Sequence, residues 1–94
     1  MEKILSFKQK ELEKFFQTGS GKIPQPIHRR RTAMILDLLN AATEPGNMNF
    51  PGSGFHKLQP RTDDRYAVSI SGNWRICFVF RNGNAYNVEY IDYH

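Results

Sequence analysis

The 94-residue sequence predicts an α+β fold, with a short N-terminal strand and two helices packed on one face of a mainly antiparallel sheet. Three observations carry that reading. Apolar residues recur at helical spacing between Leu12 and Ala42. From Phe55 onward the period changes to two. Ser71-Gly72 and Asn82-Gly83 then punctuate this second half as tight hairpin turns. Asn-Gly is a strong type I′ signal, because that turn needs positive φ at both central residues.

Ile4, Leu5 and Phe7 form the strand candidate. Ser6 followed three residues later by Gln9 has capping-box form and predicts a helix starting at Phe7 or Lys8. Leu12, Phe15 and Phe16 share its apolar face, and Gly19 is placed to close it as a C-cap. The run Gly19-Ser20-Gly21-Lys22 invites a phosphate-loop reading that the residues reject. Phe16 stands where the motif's first glycine belongs, Ile23 replaces its Ser or Thr, and no strand precedes it. It is a linker. Pro26 suits the opening of a second helix, with Ile27, Met34, Ile35, Leu38 and Ala42 on one face and an end near Ala42. Glu44–Gly54 is a turn-rich loop. Four strands follow: Phe55–Gln59, Tyr66–Ser71, Trp74–Arg81 and Ala85–Ile91. The whole of 1–94 reads as one domain.

Alternation assigns the faces. Ile76, Phe78 and Phe80 should meet Leu12, Phe15, Met34 and Leu38, while Arg75, Cys77, Val79 and Arg81 point away. In the last strand Tyr86, Val88 and Tyr90 alternate with Asn87, Glu89 and Ile91. An arginine at mid-sheet on the uncovered face is placed to meet a ligand. The competing reading pairs Arg75 with Glu89 across the hairpin.

Composition narrows the class. Thirteen Lys and Arg against nine Asp and Glu give a formal charge of +4 and a pI near 9.5, which favours a polyanionic partner. A single cysteine, Cys77, excludes an intramolecular disulfide and supports no zinc site by itself. No apolar run approaches a membrane span and no signal core opens the chain, so a cytoplasmic protein with no membrane partner is expected. His28-Arg29-Arg30-Arg31 lies in the first turns of the second helix. It is either a solvated face or a phosphate-tracking patch.

RNA can be cleaved without a metal when its own 2′-OH attacks the adjacent phosphate. The protein must then supply a base, an acid and positive charge for the phosphorane. Histidine suits proton transfer near neutrality, and arginine offers a planar, permanent fork to phosphate oxygens. The three histidines are His28 on the basic helix, His56 in the first strand of the meander and His94 beside Asp92 and Tyr93. Asp92 with two histidines matches no usual metal-ligand spacing, so neither metal nor cofactor is expected.

The chain resembles the HigB-type toxins of type II toxin–antitoxin systems, in the RelE/ParE superfamily. The resemblance starts with Ser6-Phe7-Lys8, Leu12, Phe15-Phe16 and Gly19, and continues through Leu36, Ala41-Ala42-Thr43 and Asn49. It is strongest in Asn73-Trp74-Arg75-Ile76-x-Phe78-x-Phe80, Asn82-Gly83-x-Ala85-Tyr86 and Tyr90-x-Asp92-Tyr93-His94. It implies a RelE-like fold and a ribosome-dependent mRNA endonuclease, with the ribosome and mRNA as partners. It also implies neutralisation by a cognate helix-turn-helix antitoxin. By position Arg75 looks like the family's phosphate-stabilising arginine. Asp92, Tyr93 and His94 look like its C-terminal catalytic group, and His56 like its strand histidine. The family's Pro-Leu-Lys-Gly after that histidine is here Lys57-Leu58-Gln59-Pro60, so Gln59 replaces a lysine. Arg61, more than Lys57, is placed to substitute for it, because Lys57 alternates to the face opposite His56. Arg29, Arg30, Arg31, Lys57 and Arg61 are the expected RNA or ribosome contacts. ParE-like relatives on the same scaffold inhibit gyrase without cutting RNA, which leaves a non-enzymatic inhibitor of gyrase or the ribosome as the alternative.

Overall fold

A computed structural model describes residues 4–92 and, within them, every side chain except that of Arg61. Helix α1 (Lys10–Thr18) and helix α2 (Arg29–Ala41) precede strands β1 (His56–Lys57), β2 (Arg65–Ser71), β3 (Trp74–Arg81) and β4 (Asn84–Asp92). The strands form one sheet in the order β1-β2-β3-β4, each pair antiparallel. This is the α+β arrangement that the change of period predicts. Strand β1 has two residues rather than the five expected, because Pro60 and a 3-10 turn at Arg61–Asp63 take the chain away.

The N-terminus departs from its reading in an instructive way. Ile4 and Phe7 bridge Ala85 and Val88 in parallel, so the segment lies along the free edge of β4. Ser6 and Gln9 do not form a capping box, and α1 starts later, at Lys10, with no side-chain cap. Ser6 Oγ instead accepts the Asn87 N–H at 2.9 Å. The Gln9 amide donates to the Tyr90 carbonyl and accepts its N–H, both at 2.8 Å. One side chain thus imitates a strand residue. Gly19 closes α1 as expected, at φ 77° with its N–H on the Phe15 carbonyl.

Helix α2 is rotated from its predicted face. Thr32, Ile35, Leu36 and Leu39 are buried, whereas Ile27, Met34 and Leu38 are exposed. Apolar residues run almost all the way round this helix, so spacing alone leaves its rotation open. Contacts from outside the helix set it: His28, just before α2, is buried on Tyr90 of β4. The core joins Leu12 and Phe15 of α1 and the buried α2 stripe to Ile76, Phe78, Phe80, Val88 and Tyr90.

Strand β4 carries a bulge. Cys77 pairs with Glu89 and Val79 with Tyr86, so Asn87 and Val88 together oppose Phe78. Asn87 takes φ 52°. The bulge corrects the expected alternation: Val88 and Tyr90 face the helices, but Tyr86 stands beside Val79 on the open face. That face holds a small apolar cluster of its own, Leu58, Ala67 and Cys77 with Ile91.

Candidate active site

Alternation along β3 brings Arg75 to the open face, in register with Ser69 on β2 and Ile91 on β4. Its Nη1 donates to the carbonyls of Gly72 at 2.6 Å and Trp74 at 3.2 Å, and to Ser69 Oγ at 3.4 Å. The expected alternative, a pair with Glu89, is not what forms. Glu89 pairs with Lys8 at 3.6 Å and faces Cys77, one row away. Hydrogen bonds to neutral oxygens fix the guanidinium without cancelling its charge, as an anion site requires.

His56 sits on the same face, exposed at the edge of the sheet opposite Ala67. Its Nδ1 lies 2.9 Å from the Gly54 carbonyl. A carbonyl only accepts, so Nδ1 carries the hydrogen and the neutral ring keeps Nε2 as its free base. Strand spacing and rise put the His56 and Arg75 Cα atoms roughly 12 Å apart on this face.

Ser69 joins these parts, and the sequence reading missed it. Its N–H donates to Ser53 at 2.7 Å, its carbonyl accepts from Arg31 Nε at 3.2 Å, and its hydroxyl accepts from Arg75. The loop carrying Ser53 and Gly54 packs so closely here that a Cβ on Gly54, at φ +59°, would lie 3.2 Å from Ser69 Cβ. The only signal in the sequence is a small residue directly opposite Arg75 on the open face.

At the other edge Asp92 ends β4, exposed and opposite Trp74. Tyr93 and His94 lie outside the described residues. The strand leading to them is held from beneath. Tyr90 stacks on Trp74 with ring centroids 4.7 Å apart, and its hydroxyl is 2.7 Å from His28 Nδ1. Burial raises the Tyr90 phenol above its ordinary pKa, against a smaller lowering by a backbone hydrogen bond from Gln25. His28 is therefore a buried clamp on the base of the terminal group.

The basic candidates divide. Arg29 donates to the carbonyls of Gly21 and Gly19, at 2.9 and 2.8 Å, and lies over the Phe15 ring, fastening the linker to α1. Arg31 holds Ser69 and the Gly52 carbonyl. Arg30 is exposed. Lys57 lies on the side opposite His56, as alternation requires, and pairs with Asp64 at 3.7 Å. The Arg61 side chain is outside the described set. The structure therefore gathers Arg75, Ser69 and His56 on one face, whereas Asp92, in register with Trp74, ends β4 on the helix side of the sheet.

Comparison with known proteins bears on the same chain. The model of the HigB-like toxin family, described as the RelE-like toxin HigB of type II toxin–antitoxin systems, matches residues 5–94. The endoribonuclease HigB of Proteus vulgaris is 38% identical over 96 aligned residues, covering 97% of this chain and 99% of that protein. Both matches run through the strands that carry Arg75 and His56, and they show that this chain belongs to the HigB-like family of RelE-like toxins of type II toxin–antitoxin systems.

Proposed function

We propose that this toxin is an endoribonuclease that cuts mRNA in the decoding site of the ribosome, with residues 1–94 acting as one toxin domain. The observation that carries the reading is Arg75, anchored on neutral oxygens on the same face as a histidine with a free Nε2. The likeness to an endoribonuclease over nearly the full length supports the reaction class. His56 Nε2 takes the proton of the message's 2′-OH. That oxygen attacks the neighbouring phosphorus, the bond to the 5′-oxygen breaks, and the terminal group of Asp92, Tyr93 and His94 protonates the leaving oxygen. The products are a 2′,3′-cyclic phosphate and a free 5′-hydroxyl. Arg75 neutralises the charge gathering on the phosphorane. Arg61 supplies the cation that the family's lysine provides and Gln59 does not. Arg30, exposed on α2, contacts the ribosome; Arg29, Arg31 and Lys57 contribute positive potential while holding structure.

The family places an antitoxin opposite this toxin, and we assign that partner to the helix-turn-helix class. No helix among the described residues is long and apolar enough to cross a membrane. A ribosomal target puts the protein in the cytoplasm. The test is cleavage of mRNA on programmed ribosomes by the wild type, Arg75→Ala and a chain lacking His94. Cuts in the decoding site that vanish in both variants are expected. Absence of cuts by the folded wild type would instead select a non-enzymatic inhibitor, with gyrase as the next target. If Arg61→Ala cleaves like wild type, the substitution for the family lysine is wrong.

A further inference from the structure

The bulge at Asn87 has a second effect on the open face. It turns Tyr86 outward, into one row with Val79 and Arg65 across three strands. Bulges beside active sites commonly re-aim a side chain, and this one is maintained by a dedicated contact, the Asn87 N–H on Ser6 Oγ. Arg65 and Tyr86 line a shallow polar concavity of about 450 Å³, with Arg81 and Asn87 on its walls. That volume matches small-ligand sites. Arg81 is engaged by Asp64 at 3.0 Å. The Arg65 guanidinium has no hydrogen bond or ion pair with any described residue, and Tyr86 stacks on no other described ring. A cation and an aromatic face, both partly exposed and flanking Val79 from the two neighbouring strands, suit one nucleotide of a single strand. Arg75 and Val79 are four residues apart on β3, so this row lies about 13 Å from the phosphate site. A nucleotide or two of extended strand covers that span. Between them the Ala67–Cys77 row is buried in the small cluster with Leu58 and Ile91, so the strand would cross over that apolar cluster beside Glu89.

We propose that Arg65 and Tyr86 form a second nucleotide subsite for the message, Tyr86 stacking a base and Arg65 taking the adjoining phosphate. The assignment rests on the endoribonuclease reading for its ligand, single-stranded RNA. Asp63, on the rim of the same concavity, repels phosphate there and confines it to the Arg65 side.

The test pairs two measurements on the full chain. One is binding of a short fluorescent single-stranded RNA, followed by anisotropy across a salt series in an Arg75→Ala background that does not cut. The other is the half-saturating toxin concentration for cleavage on programmed ribosomes, measured with Arg75 intact. Arg65→Gln and Tyr86→Ala are each expected to weaken RNA binding about tenfold and to raise half-saturation similarly. Tyr86→Phe, which keeps the ring, should restore wild-type affinity. Arg65→Gln should also lower the salt slope by about 0.7, the signature of one lost phosphate contact, while Tyr86→Ala leaves that slope unchanged. Thermal unfolding of each variant guards against misfolding. RNA binding that depends on Arg65 and Tyr86 without cleavage by the wild type would sink the nuclease reading and keep the subsite. Unchanged binding and half-saturation in folded variants, with or without cleavage by the wild type, would overturn the subsite.

Discussion

Side chains of β3 that point toward the helices and those that point away live under different physics. Ile76, Phe78 and Phe80 sit in a continuous apolar core with α1 and α2. Arg75, Val79 and Arg81 are on the other face, where only Cys77, Ala67 and Leu58 are buried, in a small cluster. Even two arginines of that open face differ. Arg81 is neutralised by Asp64, whereas Arg75 is held by carbonyls and a hydroxyl. The covered face holds most of the buried core, and the open face carries the proposed phosphate site. Changes on one side should therefore leave the other side's property alone.

The largest expected effect is on the covered face. Phe78→Ala removes a fully buried ring and should lower unfolding free energy by about 3–5 kcal/mol in urea titrations. On the open face Arg75→Ala should cut mRNA cleavage by about 10²–10³-fold with the melting temperature nearly unchanged. A large loss of stability in that variant would break the division. His28→Ala tests the point where the faces meet. It removes the His28 partner of the Tyr90 hydroxyl, leaving the Gln25 backbone contact, and deletes a buried ring, which together should cost about 1–3 kcal/mol. If its residual activity at low temperature equals wild type, the clamp serves stability alone.

Alkaline titration sharpens the comparison. Burial, helped by Glu89, pushes the Cys77 thiol up to about 11 from an ordinary 9.0. The unfolded chain releases that proton first, so the contribution is full below pH 9 and is lost as pH climbs to about 11. Tyr90 shifts in the same direction. Stability should fall across that window, and Cys77→Ala should flatten part of the fall. The smallest effect is expected from Asp64→Asn. Its two ion pairs are substantially solvated, so loss of stability should stay under about 1 kcal/mol.

What could be read from the sequence was local. The Asn82-Gly83 turn, the Gly19 cap and the alternation that exposes Arg75 depend on neighbours within a few residues. The rotation of α2, the bulge at Asn87 and the use of Ser6 and Gln9 depend on partners far along the chain. Gln9 bonds a residue 81 positions away, and nothing in its surroundings marks it for that. The site divides in the same way. As candidates, Arg75 stood out from strand pattern and resemblance and His56 from resemblance alone, whereas Ser69 and the tautomer of His56 follow only once the Ser53-Gly54 loop is in place.

The run from Ile4 to Gln9 has a further consequence, for self-association. An uncovered strand edge is a template for another chain. Here the long β4 edge is occupied by the protein's own N-terminal segment, through the Leu5 N–H to the Ala85 carbonyl at 2.8 Å and the Lys8 N–H to Val88 at 2.9 Å. The opposite edge is a strand of only two residues. Removing the first eight residues should open β4 to intermolecular pairing. Light scattering that still reported a monomer at high concentration would show the blocked edge to be dispensable for solubility.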